Sequence, residues 1–413
     1  MDLSIALGEL YARAARGMRL DLAEMRAACK LYGDPQDAFP VVHVAGTNGK
    51  GSVSAMVEAI ARRSGKRTGL FTSPHLCRFA ERIQIDGTPI GDDHLASALA
   101  DALVRAPDLT FFETATLACF AVFREAKVDI AVLEVGIGGR LDATNVVRAP
   151  VAAAITRIAM DHTDKLGDSL ESIAREKAGI AKPGLDVVLG RMPDSIAGVI
   201  HDVARAAGAT TTRVEERVDA RAAVVGLRAR SRVGLAGAHQ IANAEVAWLL
   251  GERIGATAAE RAGGIVDVRW PGRLELIETE EGAVLLDAAH NPDGARALAA
   301  HLASHALPKR TALIFGALAD KPWPEMLDVL ADAASFRVYV PVRPGTLGRA
   351  GADPGEIASR HAGRVASGFD AAYAIARREV GAEGLVVVCG SILLVGEARA
   401  RMLDLRTDPP VAL

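Results

Sequence analysis

The run Pro40 to Ser52, PVVHVAGTNGKGS, constrains this chain more than any other: a short apolar strand ends in a glycine loop that carries one lysine and opens onto a helix. The strand part, VVHVA, is β-branched and buried in character. Gly46, Gly49 and Gly51 let the backbone turn sharply with its N–H groups pointing inward, a nest that suits an anion. The helix expected from Lys50 to about Arg63 adds the positive end of its dipole. Lys50 adds a full charge where β- and γ-phosphate oxygens would lie, and the Ser52 hydroxyl is a candidate for the accompanying magnesium. The generic pattern G-x-x-x-x-G-K-[ST] is not met, because Val44 stands at its first glycine and Gly51 follows the lysine. A glycine-rich turn with a surface lysine is the competing reading, and later residues weigh against it.

The chain has 413 residues, which at roughly 150 residues per domain implies two or three domains, each able to bury a core. Half of the residues are hydrophobic (50%), 24% are charged and the net charge is −3, the balance of a soluble globular protein with no nucleic-acid partner. Any anion site is therefore local. Cys29, Cys77, Cys119 and Cys389 are widely spaced, so neither a zinc ribbon nor a disulfide framework is indicated. The N-terminal MDLSIALGELYARAARG reads as an amphipathic helix without a signal-peptide core, and no apolar run approaches the roughly 20 residues of a membrane span. A cytoplasmic location without a membrane partner is expected.

From residue 40 to about 210, apolar runs at Thr68 (TGLF), Asp129 (DIAVLEVG), Val151 (VAAAIT) and Asp186 (DVVLG) alternate with helical stretches at Glu113 to Ala126, Ser169 to Ala181 and Asp194 to Ala207. This is the cadence of an α/β fold with a parallel sheet, whose functional loops follow the strands' carboxyl ends. The Arg- and Val-rich stretch from 212 to 236 reads as strands and hairpins of the same domain. A second α/β series begins after Trp270-Pro271-Gly272, with strands near Ala283, Thr311, Phe336 and Leu385. The boundary is placed at 266 to 272, giving domains 1–268 and 269–413.

Several groups sit where chemistry is expected. Glu134 ends one strand and precedes GIGGRLDATN, a place suited to magnesium, although a carboxylate held by backbone N–H groups would look the same. The loop RIAMDHTDKLG sets His162 beside Asp161, before a helix bearing Glu176 and Lys177. A lone histidine is usually structural, but this one emerges from the same sheet edge as Glu134 and the phosphate loop. Ser73 ends a further strand, followed by His75, Arg78 and Arg82, and a serine hydroxyl can join hard oxygen ligands on Mg²⁺. In the second series, LLDAAHNPDGA places Asp287, His290 and Asn291 between a strand and a helix, where Asn291 serves equally well as a helix cap.

Taken in order, AGTNGKGS, FTSPHL with ERI, FFETATLACF, LEVGIGGRLDATN, DHTDKLG, EKAGI, HQIANAEVA, WPGRLE, LLDAAHNP, FGALADK and CGSILLVGEAR resemble the folylpolyglutamate synthase and dihydrofolate synthase family, relatives of the Mur ligases. The resemblance spans about residues 40 to 400. It implies a P-loop parallel-sheet ATPase domain with a folate pocket, then a smaller Rossmann-like glutamate-ligase domain. It also implies ATP-driven amide ligation, in which a folate-type carboxylate is phosphorylated and the amino group of L-glutamate displaces phosphate from the acyl phosphate. Residue by residue, Gly49, Lys50, Gly51 and Ser52 match the phosphate loop. Ser73, Glu134 and His162 match magnesium ligands. Asn243, Arg273 and Asp287 match nucleotide contacts. Lys50, His162, Lys177 and His290 match catalytic positions. The lysine matching Lys177 is carbamylated in that family; the alternative is an ordinary lysine paired to Glu176. Arg82, Thr110, Phe112 and Asp142 match the folate pocket, with Asp142 as acceptor for pterin N–H groups. MRLDLAEM at 18–25 is similar to the family's first substrate loop, with imperfect spacing.

Lys165 departs from the family's aromatic or apolar residue before Leu-Gly, and 208 to 236 match nothing in it. The partners so implied are ATP, Mg²⁺, L-glutamate and dihydropteroate or a reduced folate, acting on a monomer that serves either activity or both. The rivals are a Mur-type ligase for a UDP-sugar peptide and a P-loop nucleotide switch that is not a ligase. A switch would not need the DAAHNP and GALADK motifs of the second domain.

Overall fold

A computed structural model describes residues 2–17, 19, 21–229, 233–304, 310–342 and 349–408. Met18 and Leu20 of the MRLDLAEM segment lie outside the described residues, and its end enters a helix, Ala23–Leu31.

The first sheet has eight strands: β1 (Val41–Ala45), β2 (Thr68–Phe71), β3 (Ile83–Ile85), β4 (Thr88–Pro89), β5 (Ile130–Glu134), β6 (Ala152–Ile155), β7 (Asp186–Leu189) and β8 (Thr210–Arg213). Their order is β4-β3-β2-β5-β1-β6-β7-β8. The long apolar runs make the parallel centre, and β1 and β5 are buried along their whole length, as strands covered on both faces must be. The short β3 and β4 turn back antiparallel and finish one edge. Parallel neighbours end level: Val44 is paired with Glu134, Phe71 with Leu133, and Ala45 with Ile155. Loops after β1, β2, β5 and β6 therefore leave the sheet side by side.

The second sheet holds β9 (Glu275–Thr279), β10 (Gly282–Leu286), β11 (Thr311–Phe315), β12 (Phe336–Tyr339), β13 (Arg364–Val365) and β14 (Leu385–Cys389), in the order β13-β12-β11-β14-β10-β9. Only β9 runs antiparallel, joined to β10 by a tight hairpin.

The helix Lys50–Arg63 starts at the phosphate loop and packs between β1 and two later helices, His239–Arg253 and Ala258–Asp267. The glycine pair Gly263-Gly264 makes this possible, since a Cβ on Gly264 would lie 2.6 Å from Ile60 Cα. The region after 212 corrects the reading from sequence. Beyond β8 it forms the helix Val218–Ala229, which buries Ala220 and Val224, one turn apart, and turns Arg221 and Arg228 outward. Lys165 is exposed, which explains why an apolar residue is not needed there.

Candidate functional site

The loop after β1 is built by glycine conformation and by its neighbours. Gly46 has φ +142° and Gly49 φ +89°, and a Cβ at either would strike Thr156 or Asn243. The Thr47 N–H donates to the Arg157 carbonyl at 2.7 Å, and the Thr156 hydroxyl donates to the Asn48 carbonyl at 2.7 Å. Gly51 lies under the Trp270 indole, to which its Cβ would come within 3.0 Å. The loop is thus fixed before any ligand arrives, with the start of the helix Lys50–Arg63 facing a cavity of about 270 Å³.

Gly49, Lys50, Gly51, Ser52, Ser73, Glu134, His162, Lys177, Asn243, Arg273, Asp287 and His290 all line that cavity, so residues from both sheets' loops meet there. Lys50 Nζ lies 3.9 Å from Glu134 Oε1 and donates to the Thr47 carbonyl at 3.2 Å. Glu134 is buried, and burial pushes its carboxyl up, opposed by Lys50, by the Ser73 N–H bonded at 3.2 Å, and by Arg273. Such a carboxylate is under-compensated and suits a divalent cation. His162 adopts a left-handed backbone, φ 52°, and burial lowers its imidazole to about 4, so it presents a neutral nitrogen as a metal ligand must. Among the described residues no three His, Cys, Asp or Glu side chains form a metal cage by themselves, so a cation here would draw on the Ser73 hydroxyl and on phosphate oxygens as well.

Lys177 is buried and its amine falls to about 7, through burial first and Lys50 second. Glu176 does not pair with it; that carboxylate takes Arg140 at 2.9 Å instead. Ser52 is buried and accepts from Gln240 Nε2 at 3.2 Å, while Asn243 donates to Gln240 Oε1 at 2.8 Å, which ties the phosphate-loop helix to the Asn243 helix. Asp287 is buried, with burial raising its carboxyl, and accepts from Leu274 N and Ala289 N, both at 3.0 Å. Arg273 donates to Gly272 O at 3.2 Å. His290 donates from Nδ1 to Ala288 O at 2.9 Å, and its Nε2 faces Asp161 at 3.7 Å.

The four residues matched to a folate pocket stand apart from this cavity's wall. Arg82 is buried, donates from Nε to His75 Nδ1 at 2.9 Å and stacks on Phe79 and Phe111. Phe112 packs on Gly136, just behind the cavity. Thr110 caps the helix Phe111–Glu125 in a capping box with Glu113. Asp142 differs from the expectation of an open acceptor. Its Oδ2 takes Gly136 N and Ile137 N, both at 3.0 Å, and its Oδ1 takes Thr144 N and the Thr144 hydroxyl, so its lone pairs are engaged in closing the GIGG loop.

Other residues at the cleft carried no assigned role from sequence. Asn48 donates to Asp293 at 2.8 Å, Arg157 pairs with Asp293 at 2.7 Å, and Lys321 reaches Asp161 at 2.5 Å. Asn291 is both cap and cleft residue: its Oδ1 accepts from Gly294 N at 2.9 Å while its amide donates to Asn48 Oδ1 at 2.9 Å. Asn48, Asp161 and Lys321 all lie inside the quoted motifs, but only the packing of the two domains reveals their partners.

Residues 44–251 match the family model of the Mur ligase middle domain, and residues 272–392 that of the Mur ligase glutamate ligase domain. A dihydrofolate synthase/folylpolyglutamate synthase of Bacillus subtilis is 32% identical over 95% of this chain and 97% of its own length. A probable bifunctional folylpolyglutamate synthase/dihydropteroate synthase of Haloferax volcanii is 36% identical over 89% of this chain, which spans only 46% of that protein. Among solved structures, a bifunctional folylpolyglutamate synthase/dihydrofolate synthase from Yersinia pestis, complexed with AMPPNP and a Mn ion, superposes with TM-score 0.83 at 30% identity over 98% of both chains. The chain belongs to the folylpolyglutamate synthase/dihydrofolate synthase family of Mur ligases.

Proposed function

We propose that this protein is an ATP-dependent ligase that joins L-glutamate to dihydropteroate, to reduced folates, or to both. One observation carries the reading: a rigid phosphate loop, an under-compensated Glu134, a neutral His162 and the second-domain residues Arg273, Asp287 and His290 all face one cavity. Residues 1–268 would supply the ATPase part and residues 269–413 the glutamate-ligase part. A carboxylate is a poor acyl donor, so a phosphoryl group from ATP is needed to create a leaving group. The loop N–H groups and Lys50 hold the β- and γ-phosphates and offset the charge that grows on the transferred phosphoryl. Ser73, Glu134 and His162 would hold the Mg²⁺, which when bound adds further charge neutralisation there. Asn243, Arg273 and Asp287 hold the nucleotide, and His290 orients phosphate or glutamate.

Lys177, with its amine near 7, keeps a large neutral fraction at neutral pH, the form that adds CO₂. Its carbamate would turn a cation into a carboxylate facing the same cavity. Arg82, Thr110, Phe112 and Asp142 form the folate pocket's wall, with Arg82 meeting the substrate carboxylate and Asp142 holding the GIGG loop. The protein acts as a monomer in the cytoplasm; among the described residues no helix is long and apolar enough to cross a membrane.

The test is purified protein with ATP, Mg²⁺ and glutamate, offered dihydropteroate and tetrahydrofolate in parallel, with products read by mass. A mass gain of one glutamate residue, dependent on ATP, is expected. ADP release that ignores both substrates would overturn the reading.

A further inference from the structure

The loop after β2 carries Ser73 and Pro74 into the cavity wall and then leaves it. Its next turn is held from within. Glu81 accepts the N–H groups of Leu76, Cys77 and Arg78 at 2.8, 3.1 and 2.9 Å, so a carboxylate of the chain fills the nest that this turn makes. A turn fixed in this way moves as one piece with Ser73, whose N–H is on Glu134.

The outer side of that piece is seated in the second domain. Leu76 packs with the core between the second sheet and the helix Ile392–Met402. A Cβ on Gly272 would come 2.9 Å from Leu76 Cδ1, and one on Gly396 would collide with the Leu76 carbonyl, so both glycines are there to admit this residue. The Cys77 thiol approaches Gly396 O at 3.5 Å. The socket is itself braced: Gly272 N donates to Glu275 at 2.8 Å, and Glu275 takes Arg399 at 3.0 Å. Beyond, Asp408 accepts the Phe79 N–H at 2.6 Å, a second tie from the chain's end to the same loop.

The socket adjoins the nucleotide side of the cavity. Arg273 follows Gly272 directly, the Gly272 carbonyl accepts from Ala288 N at 2.9 Å, and Asp287 accepts from Leu274 N. We propose that Leu76, seated between Gly272, Val395 and Gly396, is a positioning residue that sets the Ser73 and Glu134 end of the cavity against Arg273 and Asp287. This rests on the function proposed above. A rigid turn on one side and a braced socket on the other fix the spacing between metal-side and nucleotide-side groups, and Leu76 is the apolar contact between them.

The test compares Leu76→Ala, Leu76→Met and Gly396→Ala in the full chain. Alanine is the better helix residue, so Gly396→Ala probes the contact and spares the helix. Titration calorimetry measures Mn²⁺ binding in the presence of AMPPNP, and AMPPNP binding without metal; kcat and a melting curve accompany both. Leu76→Ala and Gly396→Ala are expected to weaken Mn²⁺ binding by about tenfold with a matching fall in kcat, as outer-shell changes do. Metal-free AMPPNP affinity stays within about twofold and Leu76→Met behaves like the unaltered chain. Unaltered Mn²⁺ affinity in both variants overturns the positioning role, as does an equal loss in all three that follows the melting temperature. Failure of the parent chain itself to bind Mn²⁺ with AMPPNP would instead overturn the reading of the site.

Discussion

Lys321 of the second domain places its ammonium 2.5 Å from the Asp161 carboxylate of the first, and both side chains are under one-tenth exposed, 9% and 8%. Burial alone would push the Asp161 carboxyl up. His290, with His162 and Lys321 nearby, holds it far below the usual carboxylate range instead. A buried pair of this kind contributes little net stability, but breaking one half leaves an uncompensated charge. Lys321→Met should lower kcat/KM by about tenfold or more, and a double-mutant cycle with Asp161→Asn should show coupling of about 1–3 kcal/mol. Additive losses would mean that the pair does not act as a unit.

Lys50→Ala removes the only full charge that the phosphate loop offers. Turnover should fall by about a hundredfold or more. The fold should persist, since the loop's geometry rests on Gly46, Gly49 and the bonds from Thr47 and Thr156. Circular dichroism and ADP release measure the two halves of this statement; substantial remaining turnover would remove Lys50 from the phosphate role.

Lys177→Ala should cripple ligation, and small carboxylic acids should restore part of it if a carbamate is the working group. In the parent chain, activity should also depend on bicarbonate and fall as pH drops below about 7, where the amine is protonated and no longer adds CO₂. Absence of both rescue and bicarbonate dependence would leave an ordinary buried lysine.

His43 lies in the centre of β1, fully buried. The Thr144 hydroxyl donates to Asp142, so His43 donates from Nε2 to that hydroxyl at 2.8 Å, and Nδ1 is left without a partner. Burial lowers the imidazole to about 3 from an ordinary 6.5. The unfolded chain therefore binds a proton that the native chain refuses. Stability from this residue is complete above 6.5 and is lost as pH falls toward 3, on the order of 5 kcal/mol in all. His43→Gln should lower stability at pH 7 by about 1–2 kcal/mol but flatten its decline in that window, as urea midpoints would show. Parallel curves for both proteins would assign the acid sensitivity elsewhere.

Much of this architecture was legible because the central strands are unbroken apolar runs, and their carboxyl ends carry the glycines, acids and histidines that loops at a parallel sheet's edge use. The helix Val218–Ala229 was misread because Val218, Val224 and Val225 favour strands locally, whereas Ala220 and Val224 follow helical spacing and tertiary packing decided. The strand β9 was missed because Glu275, Glu278 and Thr279 leave only Leu276 and Ile277 apolar at a sheet edge. Glu134 and His162 could be placed at one site because they leave the same sheet edge as the phosphate loop, whereas Lys177, inside the helix Leu170–Ala178, was matched through the family resemblance. Asp161 with Lys321, and Asn48 with Asn291, could not, since the two members of each pair are 160 and 243 residues apart and meet only through the seating of one domain on the other. Asp142 stood in the right loop, but no spacing rule shows that its oxygens are already occupied.

Trp270 belongs to the connection between the two sheets, yet its indole packs against Gly51 at the first turn of the phosphate-loop helix. The connecting segment thus also covers the start of the phosphate-loop helix. Polypeptides cut ahead of Trp270 would strip the first half of a side chain that covers Gly51, so the place where the chain looks easiest to divide is one where the two halves share a surface.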